Sequence, residues 1–332
     1  MKIQHNIELK PYNSLKTSAK AKIFCTPKSV KELSQVIKLY PREKKLVLGG
    51  GYNLFFTKDF DGLIIHPQIK GINVCYENDK IVEIEASASE VWDDFVAFCV
   101  ENNYAGVENL SHIPSSVGAA PVQNIGAYGT EVKDAIKLVR TLDIKTGKEK
   151  EFTNDMCKFE YRNSIFKKTG KYIITSVVFK LNKSFTYTPK YIDVEYELAN
   201  IPTPTMLDVR NAIIQIRSRK LPQCDILPNA GSFFKNPFLT YQEKEKLIEL
   251  LPNAIIHKVD EQKFKTSAAF LIDKSGFNNK RKKYVGTYEH HALIIVNYGT
   301  EKGEEIEDFM KEIQEEVYSK FKVWLEPEVR IY

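Results

Sequence analysis

Apolar residues return at helical spacing through 30–40 (VKELSQVIKLY), and Pro41 stops the run. The apolar stretch 45–48 then predicts a short strand that ends in Gly49-Gly50-Gly51, and further strands are expected at 62–66 and 81–86. Residues 89–101 read as an amphipathic helix with Ser89 as its N-cap. Segments 138–144 and 148–152 flank Thr146-Gly147 as a hairpin, and 173–181 is a strong strand. The stretch 182–205 is polar, aromatic and broken by prolines, which predicts a long functional loop. Helices follow at 206–219, 240–250, 267–274 and 304–321, with strands at 292–297 and 323–325. Helix and strand alternate without a repeat, so the expected class is α+β or mixed α/β. We expect subdomains at 1–70 and 71–205, the second carrying a lid loop near 182–205. A smaller α+β domain is expected at 206–332, its last strand returning to the active site.

A chain of 332 residues is long enough for two or three domains. The net charge of +5, from 48 basic and 43 acidic side chains, is too mild for a dedicated nucleic-acid binder but favours a small anionic substrate. Five scattered cysteines (25, 75, 99, 157 and 224) contain no C-x-x-C pair, which argues against a disulfide framework or a zinc site, so no metal is expected. Residues 1–11 are polar, and no window approaches the ~20 apolar residues of a membrane span, so a cytoplasmic protein with no membrane partner is expected. Nothing resembles a coiled-coil seam, and monomer is the default.

Two segments bear on chemistry. Gly49-Gly50-Gly51-Tyr52-Asn53-Leu54 follows an apolar strand, and successive N–H groups in such a run can form a nest for a diphosphate. A plain turn explains a triple glycine equally well. The sequence that follows is extended and the run is not G-x-G-x-x-G, so a Rossmann site is disfavoured. The second segment, 113–129, holds no charge. Ser115, Ser116, Gly118, Ala119, Gln123, Asn124, Ile125, Gly126, Tyr128 and Gly129 offer backbone donors and small walls that suit a flat ring system and its phosphates. A buried small-residue packing segment is the plainer alternative.

Two glycine-rich loops at this separation resemble the vanillyl-alcohol-oxidase-type (PCMH-type) FAD-binding domain. Four motifs resemble one family more closely, that of UDP-N-acetylenolpyruvoylglucosamine reductase. They are Ile113-Pro114 with Gln123 to Gly129 (QNIGAYG), Tyr161 to Lys167 (YRNSIFK), Asn229 to Pro237 (NAGSFFKNP) and Leu325 to Arg330 (LEPEVR). The resemblance runs from about Leu15 to the C-terminus. It implies noncovalent FAD, NADPH as co-substrate, and UDP-N-acetylglucosamine enolpyruvate as the substrate of a step in peptidoglycan precursor synthesis. The rival on the same scaffold is an FAD-dependent oxidase of a small alcohol or sugar, which would not explain the last two motifs.

The implied chemistry is hydride addition to an enolpyruvyl ether. It builds up an enolate-like charge that the protein must hold while it protonates the adjacent carbon. The resemblance makes Ser232 the proton donor, with Lys235 or an ordered water steadying the alkoxide; read without its motif, Ser232 would be a turn or cap serine. Arg162 offers a planar fork to the substrate carboxylate. Glu328 can assist an anion only while it carries a proton. Lys220, Asn236 and Tyr187 resemble the family's diphosphate, polar and lid contacts. Two positions depart from the family pattern: Tyr52 stands where Ser is common, and His291 stands where some relatives have Gln. His112, just before Ile113, reads as an ordinary core or surface histidine, so no flavin tether is expected.

Overall fold

The computed structural model describes all residues, Met1–Tyr332. The chain forms two compact units. The first comprises Met1–Ile7, Ala21–Gly50 and Asp61–Arg219; the second comprises Glu8–Lys20, Gly51–Phe60 and Lys220–Tyr332. No helix is long and apolar enough to cross a membrane.

The first unit contains two sheets. In one, the strands Lys2–Glu8, Lys20–Thr26, Phe60–Ile65 and Lys45–Val47 lie in that order, the last two parallel. The helix Val30–Leu39 covers this sheet. Ser29 caps it by accepting from the Glu32 N–H, and Leu33, Val36 and Ile37 are its buried face. The other sheet is antiparallel, in the order Glu149–Thr153, Ile136–Asp143, Tyr172–Asn182, Ile81–Ser87, Ile72–Glu77. The helix Trp92–Glu101 lies on it with Trp92, Phe95 and Cys99 fully buried, and the Phe95 and Phe179 rings are 4.5 Å apart. Ser89 does not cap this helix. Its hydroxyl accepts from the Ile69 N–H and donates to the Pro67 carbonyl, so it closes the preceding connection instead.

The stretch 182–205 is not all loop. It contains the helix Ile192–Leu198, whose Val194 and Leu198 pack one turn apart against Val209, Ala212, Ile213 and Ile216 of the helix Met206–Lys220. Flanking prolines and tyrosines masked that short apolar stripe.

In the second unit the strands Asn229–Ser232, His291–Asn297, Val285–Tyr288 and Arg281–Lys282 form a sheet, and Phe238–Leu239, Phe264–Thr266 and Ile256–Lys258 form another. The helix Gly303–Phe321 buries Ile306, Phe309, Met310, Ile313, Gln314, Val317 and Phe321 along one stripe. Each fully buried apolar side chain there is worth about 1.5–3 kcal/mol. The expected strand 323–325 is absent. Its alternation is real, since Val323 and Leu325 are buried and Trp324 is exposed, but the Leu325 carbonyl accepts from the buried Gln314 amide (2.7 Å) rather than from a neighbouring strand. Pairing begins just after it, at an antiparallel bridge between Pro327 and Phe234, and then Arg330–Ile331 runs parallel to Leu54–Phe55.

Candidate active site

Within the first unit, the start of the glycine run meets the charge-free segment. A Cβ on Gly49 would lie 3.1 Å from the Ser116 Oγ and 3.8 Å from the Ala119 Cβ. A Cβ on Gly118 would come within 2.6 Å of that of Ala88. The segment is folded back by hydrogen bonds from the Gly118 N–H to the Ala88 carbonyl (2.8 Å) and from the Val117 N–H to the Glu90 carbonyl (2.9 Å). The glycines therefore let two backbone segments and small side chains pack closely together, and the small-residue run they form offers the backbone N–H groups and low bulk that a flat ring system and a diphosphate need for close approach. These residues fit FAD. Tyr128 (φ 47°) and Gly129 (φ 74°) are consecutive left-handed residues that turn the chain out of this run.

Two of the expected cofactor residues are already used inside the unit. Asn124 is fully buried, with φ 48°. Its Oδ1 accepts from the Lys133 N–H (3.1 Å) and its Nδ2 donates to the Glu160 carbonyl (3.2 Å). Gln123 Oε1 accepts from Lys167 Nζ (3.4 Å). Asn124 thereby ties the small-residue run to the turn that carries Arg162.

In that turn Glu160 and Asn163 exchange backbone hydrogen bonds, and Arg162 has φ 52°. Ser164 anchors its far side by capping the helix Ile165–Thr169 and donating to the Val122 carbonyl (2.6 Å). The Arg162 guanidinium donates through Nη2 to the Gly126 carbonyl (2.7 Å) and stacks 5.1 Å from the Tyr161 ring centre. A fork held on a carbonyl and an aromatic face is oriented in advance, which lowers the entropy cost of meeting a carboxylate.

Tyr187 packs on the cluster of the short helix and Met206–Lys220, and its buried hydroxyl has no hydrogen-bond partner. An unpaired buried hydroxyl costs about 1–3 kcal/mol. The Tyr128 ring meets Tyr191 edge-on at 5.2 Å. Burial pushes the Tyr128 phenol up from its ordinary range, partly offset by Arg217, whose Nε also donates to the His112 carbonyl (3.0 Å). Sequence reasoning missed Arg217; the only signal was a cluster of basic residues at the end of its helix.

In the second unit Ser232 and Glu328 stand on neighbouring segments of one ladder. The Glu328 N–H donates to the Phe233 carbonyl (2.8 Å), and the Lys235 N–H donates to the Glu326 carbonyl (2.9 Å). Asn53 joins this ladder: its Nδ2 donates to the Glu328 carbonyl (3.3 Å), and its own carbonyl accepts from the Arg330 N–H (3.0 Å). Ser232 is exposed at a bulge, just after Gly231 at φ 67°. The Lys235 ammonium is 2.9 Å from the partly exposed Glu326 carboxylate. Asn236 Oδ1 accepts from the Ala268 N–H (3.0 Å), which orients its Nδ2 as a donor.

His291 is half-buried, and its Nδ1 accepts from the Leu293 N–H (3.3 Å), which leaves Nε2 as the protonated nitrogen. Burial, and secondarily the Lys220 charge, holds its pKa below the usual value. In acid the unfolded chain binds this proton before the folded one does, so stability should fall as pH drops below about 6.5. His291→Gln should flatten that loss, measured as the change in melting temperature between neutral and mildly acidic buffer. An unchanged slope would show that the ring titrates alike in both states.

Residues 222–332 match the profile of the UDP-N-acetylenolpyruvoylglucosamine reductase C-terminal domain, and residues 21–153 match that of an FAD binding domain. A UDP-N-acetylenolpyruvoylglucosamine reductase from Flavobacterium johnsoniae is 45% identical, with both chains covered completely. Another of that name from Amoebophilus asiaticus is 40% identical across all of this chain and 99% of its own. A crystal structure of UDP-N-acetylenolpyruvylglucosamine reductase from Thermus caldophilus matches in fold, with a TM-score of 0.70 over 100% of this chain and 99% of that one at 22% identity.

Proposed function

The chain belongs to the UDP-N-acetylenolpyruvoylglucosamine reductase family and is an FAD-dependent oxidoreductase, and from that premise we propose that it reduces UDP-N-acetylglucosamine enolpyruvate to UDP-N-acetylmuramate at the expense of NADPH. It would do so in the cytoplasm, as a monomer. Bound FAD would supply the two-electron hydride chemistry that links NADPH to the enolpyruvyl group. The glycine run from Gly49 and the small-residue run 115–129 would hold that cofactor.

The remaining chemistry falls to side chains. Arg162 receives the substrate carboxylate in its fork, and the contact strengthens as enolate charge accumulates. Glu328, carrying a proton, donates to the same developing charge. Ser232 delivers its hydroxyl proton to the carbon next to the one that accepts hydride. Lys220 and the Nε2–H of His291 meet the diphosphate, and Asn236 donates through Nδ2. Tyr187 moves from its apolar seat to close over the nucleotide, where its hydroxyl gains the partner it lacks.

The observation that carries this reading is the ladder that holds the Ser232 and Glu328 segments side by side. Anaerobic mixing tests it. The purified protein should be yellow, bleach with NADPH, and regain its colour on addition of UDP-N-acetylglucosamine enolpyruvate without oxygen. Recovery with oxygen but not with that substrate would make the protein an oxidase instead.

A further inference from the structure

We propose that Asn229 is the positioning residue that sets the geometry between Lys220 and Ser232. This rests on the substrate-reducing role proposed above. Lys220 ends the helix Met206–Lys220, and Ser232 ends the strand Asn229–Ser232. The chain between them folds into a turn in which the Ile226 and Leu227 N–H groups both donate to the Gln223 carbonyl, at 3.0 and 2.9 Å. No regular element holds the loop 221–228, so something else must fix its shape.

The Asn229 amide does this. Its side chain is 2% exposed. Nδ2 donates to the Pro222 carbonyl (3.1 Å) and to the Leu227 carbonyl (2.8 Å), the two ends of the turn. Oδ1 accepts from the Gly231 N–H (2.9 Å) and takes the Cys224 thiol at 3.7 Å. Two donors and two acceptor sites are the full capacity of an amide, and all four are used. The two carbonyls facing Nδ2 also settle which atom is nitrogen.

The consequences reach both functional ends. The Gly231 N–H that Oδ1 holds belongs to the left-handed residue (φ 67°) that aims Ser232 off the strand. A Cβ on Gly231 would meet nothing within 4 Å, so packing does not impose that conformation; the hydrogen bond supports it directly. The Pro222 carbonyl lies two residues after Lys220. The strand itself is pinned from its other side, where the Asn297 N–H donates to the Pro228 carbonyl (2.8 Å). Asn229 is buried, so it acts through Gly231 and the loop and does not touch substrate. A displacement of about 1 Å at a reacting group can cost about 10²-fold in rate.

The test uses the FAD-loaded protein and follows each half-reaction separately. In Asn229→Ala, flavin bleaching by NADPH should keep the parental rate, while recolouring by UDP-N-acetylglucosamine enolpyruvate slows by roughly 10- to 100-fold. Equal slowing of both half-reactions, or of neither, overturns the proposal. Asn229→Asp decides the matter even if the alanine variant does not fold. Its carboxylate keeps the acceptor for Gly231 but turns an oxygen on two carbonyls, and protonation restores one donation. Its recolouring rate should therefore climb, relative to the parent, as pH falls; a ratio independent of pH overturns the proposal. Failure of the parent protein to recolour with the substrate would instead remove the functional premise.

Discussion

Ser232→Ala should leave flavin bleaching by NADPH at the parental rate and slow recolouring by UDP-N-acetylglucosamine enolpyruvate by roughly 10²- to 10⁴-fold, the usual contribution of a positioned proton donor. The separation follows from the chemistry. Hydride transfer from NADPH needs no proton from this hydroxyl, whereas saturating the enolpyruvyl carbon does. Stability should barely move, because Ser232 is exposed and its backbone keeps the bulge opposite Ile294. Anaerobic stopped-flow with each partner in turn measures both rates. Recolouring at the parental rate would take Ser232 out of the mechanism, and water would then have to supply the proton.

The proposed site is readable in the sequence because its candidate residues lie in short linear motifs. What the motifs could not reveal is how their members are paired. Lys235, a candidate to assist Ser232, also pairs with Glu326, 91 positions away in sequence. Asn124 was a candidate cofactor ligand, yet its amide joins Lys133 to Glu160. Such bonds join residues that no periodicity links. The same holds for the fold. The helix Val30–Leu39 and the strand Tyr172–Asn182 were readable because one face of the first and nearly all of the second are buried. The edge strand Ile72–Glu77 is harder to read: Ile72, Val74 and Tyr76 alternate with Asn73, Cys75 and Glu77, but it lies at the sheet edge and is exposed almost throughout, so its alternation faces no core. Residues 323–325 show the opposite failure. They alternate as a strand would, but the buried Gln314 takes the carbonyl that a neighbouring strand would need.

Gly51→Ala should be the most damaging single methyl in the first glycine loop. Gly51 has φ 71°, and a Cβ there would lie 2.0 Å from the Tyr12 carbonyl oxygen and 2.9 Å from its carbon. Both are backbone atoms, so no rotamer change relieves the clash. Nor can Tyr12 retreat easily. The next residue, Asn13, is buried, and its Nδ2 donates to the Leu9 and Thr17 carbonyls, each at 2.9 Å, while the Ser14 N–H donates to the Gly51 carbonyl (3.0 Å). The left-handed conformation alone costs an alanine about 1–2 kcal/mol. The clash should bring the total to about 4 kcal/mol or more, in the range of severe core lesions. Gly170→Ala is the control, since Gly170 has φ 59° and nothing lies within 4 Å of its would-be Cβ. It should show the conformational cost only. Denaturant unfolding measures both variants, and the ratio of flavin to protein absorbance reports cofactor retention, which should fall for Gly51→Ala and hold for Gly170→Ala. Equal destabilisation of the two would mean that the Tyr12 carbonyl yields readily, and that left-handed geometry rather than crowding is what reserves position 51 for glycine.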